Sequence, residues 1–236
     1  MAESSSATPR ERYRAQVRAE VKKRAWEQIA TAGASALSLN AIAKRMGMSG
    51  PALYRYFASR DELITELIRD AYRSLADTLH AASGESGADV AALAHALRGW
   101  ALDDPQRYFL IYGTPVPGYH APDDITAIAS ENMATLLDAW TARPSADPAT
   151  PFAEHLEGLG RQWADDHPAP PAALHGALTF WTRLHGVLSL ELAGHFNGMG
   201  FDPAQLFAAE LESLLTGGGL PAADRQGPPK GESPAQ

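Results

Sequence analysis

The chain of 236 residues contains no cysteine. That excludes disulfides, thiolate metal sites and cysteine nucleophiles, and it fits a reducing cytoplasm as the expected location. No apolar run approaches the roughly 20 residues that a membrane-spanning helix needs, so no membrane partner is expected. The opening MAESSSATPR lacks the apolar centre of a secretory signal. Strand patterns are nearly absent, since no stretch alternates apolar and polar residues convincingly, and there are no internal repeats. No G-x-S-x-G, P-loop or dinucleotide fingerprint occurs, and the Asp and Glu residues are scattered along helical segments as solvent-facing charge. Neither enzymatic activity nor a cofactor is therefore expected.

What is present is helical spacing and a lopsided charge. The net charge is −8, but residues 1–60 hold 11 Lys/Arg against 4 Asp/Glu, a net of +7, while residues 61–236 hold 9 against 24, a net of −15. A basic end on an acidic remainder points to a polyanion partner for that end only. Arg10, Arg12, Arg14, Arg18, Lys22, Lys23 and Arg24 can equally be a solvated tail and helix face. The expected fold is all-α. A first helix is predicted from about Tyr13 to Thr31, with Val17, Val21, Ala25 and Ile29 on one face and Gly33 closing it. Two short helices follow, near 39–46 and 50–57. Ser59 and Glu62 form a capping signature that opens a long helix to about Ala82. Beyond the Ser83–Gly87 joint, helices are expected near 88–103, 105–112, 122–142, 151–164, 171–195 and 203–217. The organisation is a disordered arm over 1–11, a three-helix unit over 12–58, a helical body over 59–216 and a disordered tail over 217–236, a tail with 5 Gly, 4 Pro and no aromatic.

Residues 38–60, SLNAIAKRMGMSGPALYRYFASR, carry the most specific signal. Leu39, Ile42 and Met46 line the inner side of the first short helix, and Ala43 is small where two helices would cross. Gly47 sits where the chain must reverse, a position that favours a left-handed backbone. Ser49 can cap the second helix, and Pro51 is tolerated in its first turn. Leu53 and Phe57 point back to the core. Ser49, Gly50, Ala52, Tyr54, Arg55 and Tyr56 are left facing outward or sideways. This is a helix-turn-helix, whose partner is double-stranded DNA. Phenol hydroxyls donate to phosphates and rings contact thymine methyls, although either tyrosine can instead pack on the first helix.

The AIAKRMGMS turn, the LYRYF helix and the SRDEL start of the long helix make residues 26–67 resemble the N-terminal domain of the TetR family of bacterial transcriptional regulators. The resemblance implies that Ser38, Ser49, Tyr54, Tyr56 and Arg60 lie on the DNA backbone and that Asn40 reaches a base edge. Gly50, Pro51 and Ala52 would form the tip of the reading helix. That tip offers little hydrogen bonding, so direct readout is expected mainly from Asn40, Tyr54 and Arg55. FWTRLHGVLSLELAGHF, residues 180–196, resembles the C-terminal domain of a subset of the family named for its Trp-His-Gly motif, here Trp181, His185 and Gly186.

The body is expected to serve dimerisation and effector binding. The predicted 171–195 helix carries two apolar stripes, which usually means two packing partners. Leu174, Leu178, Leu188 and Leu192, with Leu206, Phe207, Leu211 and Leu214 of the last helix, are read as a four-helix interface between two copies. A homodimer doubles the contact on a near-palindromic operator. Trp100, Tyr108, Phe109, Tyr112, Met133, Trp140, Trp163, Trp181 and His185 are candidates to line a pocket for an apolar or aromatic small-molecule effector, although any one of them can be plain core. His185, Glu191 and His195 also permit a metal reading, but two histidines and a carboxylate on such a helix more often make packing and polar contacts. Taken together these features predict a ligand-responsive repressor. The alternative is a DNA-binding protein with no small-molecule ligand, architectural or regulated by a protein partner, whose body would be filled by side chains.

Overall fold

The computed structural model describes residues 8–84, 89–143, 151–158 and 167–216. Residues 1–7 of the expected arm, 85–88 of the expected joint, Trp163 and the expected tail lie outside the described residues. Helix α1 spans Pro9–Ala32, earlier than the predicted Tyr13 start, and so takes in residues 9–11 of the expected arm. The reason is a reciprocal cap. Glu11 N donates to Thr8 Oγ1 at 3.3 Å, and Thr8 N donates to Glu11 Oε2 at 2.7 Å. Val21, Ala25 and Ile29 are buried, with Val17 half-buried beside them. Gly33 ends the helix at φ 77°, a conformation that favours glycine.

Helices α2 (Leu39–Arg45), α3 (Gly50–Leu53) and α4 (Arg60–Ser83) complete the helix-turn-helix unit, and Gly47 turns the chain at φ 66°. Helix α3 is shorter than the predicted 50–57. Residues 54–56 continue as tight turns, with Tyr56 N bonded to Leu53 O at 2.8 Å. Their carbonyls are taken by α1: Arg14 donates to Arg55 O at 3.2 Å and Arg18 to Tyr56 O. Cations thus satisfy carbonyls that a longer helix would have used internally. At the start of α4, Glu62 N donates to Ser59 Oγ at 3.0 Å as predicted, but the Glu62 carboxylate accepts from Ala58 N at 2.6 Å rather than from the cap residue.

The body contains α5 (Val90–Asp103), α6 (Pro105–Tyr112), α7 (Asp123–Thr141), α8 (Pro151–Gly158), α9 (Pro171–Leu192) and α10 (Pro203–Leu215). Among the described residues there is no strand, and no helix is long and apolar enough to cross a membrane. Helix α4 runs through both units. Its Leu63, Ile64 and Leu67 belong to the head core, and its Leu75 and Leu79 belong to the body core. Val116, from the segment joining α6 to α7, and Ile125, in the first turn of α7, are buried in the head core and not in the body's. Tyr119 Oη lies 3.1 Å from Thr65 Oγ1, and Arg69 pairs with Asp124 at 2.5 Å.

The packing of α9 corrects the predicted interface. Within the chain α9 packs against α10, α8, α7 and α5. Leu174, Leu188, Phe207, Leu211 and Leu214 are therefore buried in their own chain's core and have little surface left for a second copy. Leu178, Leu192 and Leu206 remain half-buried, and Leu190 is 44% exposed.

Candidate functional site

The outer surface of the head is set by local capping. Ser38 Oγ accepts from Ala41 N and Ser49 Oγ from Ala52 N, each at 3.3 Å, so both hydroxyls anchor helix starts. Gln28 of α1 holds Ser38 in turn, its Oε1 accepting from Ser38 N at 3.0 Å. Asn40 and Tyr54 are exposed, Tyr54 by 44%, and Arg55 and Pro51 are exposed beside it. A Cβ at Gly50 would come to 3.1 Å from Asn40 Oδ1. The missing side chain thus lets the reading-helix tip sit against the asparagine, and the two share one surface. Tyr56 is half-buried against the head core, with the Arg14 guanidinium 5.7 Å from its ring. It therefore follows the packing alternative more closely than Tyr54 does.

Arg60 does something the sequence did not announce. Its guanidinium donates to Leu37 O at 3.2 Å, Ala34 O at 3.0 Å and Ser35 O at 3.2 Å. The planar fork clamps the turn between α1 and α2, a geometry lysine cannot reproduce. Other head cations are also engaged internally. Arg18 lies 3.5 Å from Glu62 and 3.5 Å from Glu66, Lys22 lies 2.6 Å from Asp70, and Arg24 bridges Glu20 and Glu27. Much of the basic character of α1 therefore ties it to α4. Lys44, which sequence reasoning missed, is exposed one helical turn after Asn40 on the same face. The i, i+4 spacing from Asn40 was the available signal.

In the body, the structure brings together five of the predicted pocket residues. The His185 ring lies 4.1 Å from Trp181, 4.4 Å from Tyr112 and 5.6 Å from Tyr108, centroid to centroid, and Phe109 stands edge-on to Tyr108 at 5.6 Å. Tyr72 of α4, not among the candidates, joins at 6.2 Å from Tyr112. Trp100 is buried elsewhere and donates from Nε1 to Ser74 Oγ at 3.2 Å. Trp140 packs on α9 at Gly176, where a Cβ would come within 2.5 Å of its ring. Met133 packs half-buried on the body core. Asn132 was also missed, although it replaces an apolar residue in the Ile125, Ile128, Leu136 stripe of α7 and is buried there. It lines a cavity of about 20 Å³ with Leu75, Leu93, Phe180 and Trp181, room for about one water.

The electrostatics of this cluster are those of a dry, uncharged site. Burial lowers the His185 pKa to about 4 and raises that of Tyr108 to about 12, and burial also holds Tyr112 well above its usual value. The Tyr108 hydroxyl donates to His185 O at 3.2 Å and lies 3.0 Å from His185 Nδ1. Both contacts are hydrogen bonds only when Nδ1–H donates to the tyrosine oxygen. That tautomer leaves His185 Nε2 as a bare acceptor. His185 Nε2, Tyr112 Oη and Asn132 Oδ1 are all buried without a partner. Glu191 pairs with Arg98 at 2.5 Å and His195 is exposed, so the three residues of the metal reading do not converge.

Two family models match the chain: "Bacterial regulatory proteins, tetR family" over residues 23–67, and "Tetracyclin repressor-like, C-terminal domain" over residues 90–214. The HTH-type transcriptional regulators Rv1816 of Mycobacterium tuberculosis and Mb1846 of Mycobacterium bovis are each 37% identical over 217 residues, covering 86% of this chain and 92% of the relative. A crystal structure of a regulatory protein, SCO4313, is 74% identical with a TM-score of 0.81, covering 89% of this chain and 100% of that one. A protein of unknown function from Rhodococcus sp. RHA1 shares the fold at 21% identity and a TM-score of 0.63, covering 92% of this chain and 98% of that one.

Proposed function

The chain belongs to the TetR family of DNA-binding transcriptional regulators, and from that premise we propose that it is a ligand-responsive repressor. Proteins of this family are regulators and not enzymes, and they dimerise through the C-terminal domain. In this reading a cytoplasmic homodimer holds a pseudo-palindromic operator. Asn40, Tyr54, Arg55 and Lys44 meet the DNA, with Ser38, Ser49 and the Gly50–Ala52 tip against its backbone and thymine methyls. The half-buried Leu178, Leu192 and Leu206 with exposed Leu190 are the part of α9 and α10 available to the second copy. We also place the body in the Trp-His-Gly subset, on its Trp181, His185 and Gly186 and on the tilted contact of the Trp181 and His185 rings at 4.1 Å.

The observation that carries the switch is the shared core. Helices α6 and α7 flank the aromatic cluster, and the segment between them puts Val116, and the first turn of α7 puts Ile125, into the head. Arg107 of α6 also lies 5.9 Å from the Trp26 ring of α1. A molecule that pushes α6 or α7 aside must therefore disturb the head. Linkage requires it to bind the released state better than the DNA-bound one. The test is selection of bound DNA from a random pool, followed by a ligand screen for release of that site. A ligand that occupies the body and leaves operator affinity unchanged removes the switch. The cavity of about 20 Å³ favours a second reading, a DNA-binding protein with a filled body and no small-molecule ligand. Under that reading no molecule in the screen binds the body.

A further inference from the structure

Resting on the reading of the body as an effector site, we propose that its ligand is an uncharged molecule with a small apolar body and a hydrogen-bond donor. It would be held by His185 Nε2, Asn132 Oδ1 and the Tyr112 hydroxyl. The starting point is an imbalance in the core. Among the described residues eight polar side-chain atoms are buried and unpaired, and His185 Nε2, Asn132 Oδ1 and Tyr112 Oη are three of them. A buried polar group without a partner destabilises the fold, and such groups are few in native proteins. Here these three gather around one side chain. The rings of Tyr112 and His185 lie 5.3 and 4.1 Å from Trp181, and Asn132 lines the same small cavity as Trp181.

The polarity of the set defines the ligand. Nε2 is an acceptor in the tautomer whose Nδ1–H donates to Tyr108 Oη, the one that makes both Tyr108 contacts hydrogen bonds. Asn132 Oδ1 is an acceptor by nature, and its amide nitrogen reaches Tyr72 O only at 3.5 Å. The Tyr112 hydroxyl can give or take. Two acceptors and one hydroxyl call for at least one donor from the guest. Charge is excluded on the same grounds. The described side chains that line the cavity, and those in ring contact with His185, include no Lys, Arg, Asp or Glu. An anion would find no cation, a cation no carboxylate, and a buried unpaired charge is strongly disfavoured. The surrounding Leu75, Leu93, Leu136 and Phe180 accept an apolar body. The cavity holds about one water as it stands, so the guest must part α4, α7 and α9 to enter. That displacement is the movement a release mechanism needs.

The test uses four probes of one size on the full chain: 4-ethylphenol, ethylbenzene, 4-ethylbenzoate and 4-ethylbenzylammonium, each titrated by calorimetry. The phenol should bind saturably, ethylbenzene about tenfold more weakly for want of the donor, and both ions not at all. Asn132→Leu and Tyr112→Phe should erase the preference for the phenol over ethylbenzene without lowering the melting temperature, because each removes an unpaired polar atom. Equal or tighter binding of an ion overturns the proposal. So does a phenol preference that survives both substitutions, or a panel in which no probe binds. Operator release, followed by fluorescence anisotropy with the selected DNA, separates the two levels. Phenol that binds at Asn132 and Tyr112 without releasing DNA sustains the ligand class and sinks the switch. Release by an ion alone sustains the switch and sinks the ligand class.

Discussion

The head and the body of this chain close their polar groups in opposite ways. In the head nearly every irregular backbone step is met by a named side chain: Arg60 on three carbonyls, Arg14 and Arg18 on the turn after α3, Gln28 on Ser38, and serines at the starts of α2, α3 and α4. In the body Asp104 and Asp202 cap α6 and α10 and Arg143 meets Leu215 O, but Asn132, Tyr112 and His185 stay unpaired inside it. A surface that must present a fixed shape to DNA gains from satisfied, rigid turns. Under the proposed function, the body keeps polar groups whose partner comes from a guest.

The comparison can be broken at several points. The largest effect is expected in the head core. Phe57→Ala empties a position with no exposure, under the Arg18 guanidinium at 4.1 Å, and should cost about 3–5 kcal/mol in thermal or denaturant unfolding. Retention of full stability would show that the head is not a tightly closed unit. Next comes the body's pH response. His185 titrates near 4 in the folded chain against 6.5 when exposed. As the pH falls through that window, the unfolded chain takes up a proton that the native chain does not. Stability should therefore drop by on the order of 3 kcal/mol between pH 6.5 and 4. His185→Phe should flatten that slope, and an unchanged slope would assign it to other groups.

Arg60→Ala should lower stability by about 1–3 kcal/mol, with Arg60→Lys recovering only part, because three carbonyls lose one planar donor. If lysine restores everything, the fork is not what holds the α1–α2 turn. On DNA, Asn40→Ala should reduce discrimination between the selected site and single-base variants by about 1–3 kcal/mol, while Tyr54→Ala weakens all sequences alike. Measured by anisotropy, the reverse pattern would exchange their roles. The smallest effect sharpens the contrast most. Tyr112→Phe should change the melting free energy by less than about 0.5 kcal/mol, since the hydroxyl it deletes has no partner.

Much of this architecture could be read in the chain. The apolar spacing of α1 and α4, the glycine at 47, the serine caps and the Asp-Pro starts of α6 and α10 all carry their structural consequence within a few residues. The exposure of Tyr54 and Arg55 was legible for the same reason. The interface residues were not. Leu174, Leu188, Phe207, Leu211 and Leu214 look identical in a periodic pattern whether they face their own chain or another. Which pair of stripes meets depends on how α5, α7 and α10 surround α9. The aromatic cluster was half legible. Tyr108, Tyr112, Trp181 and His185 stood out by type, but Trp100 and Trp140 did too, and only packing separates them.

By itself, then, the sequence determined local geometry: which segments are helical, where their capping residues sit, which face of each is apolar, and that residues 38–60 make a helix-turn-helix. These follow from backbone sterics, capping and side-chain period, which act over a few residues. Tertiary structure decided everything that joins distant segments. It turned the α1 cations inward to α4 and folded Arg60 back on the α1–α2 turn. It carried Val116 and Ile125 into the head, and it left polar atoms of the body, His185 Nε2, Asn132 Oδ1 and Tyr112 Oη among them, without partners. Those outcomes depend on which surfaces meet in space, and that is a property of the packed chain and not of any segment in it.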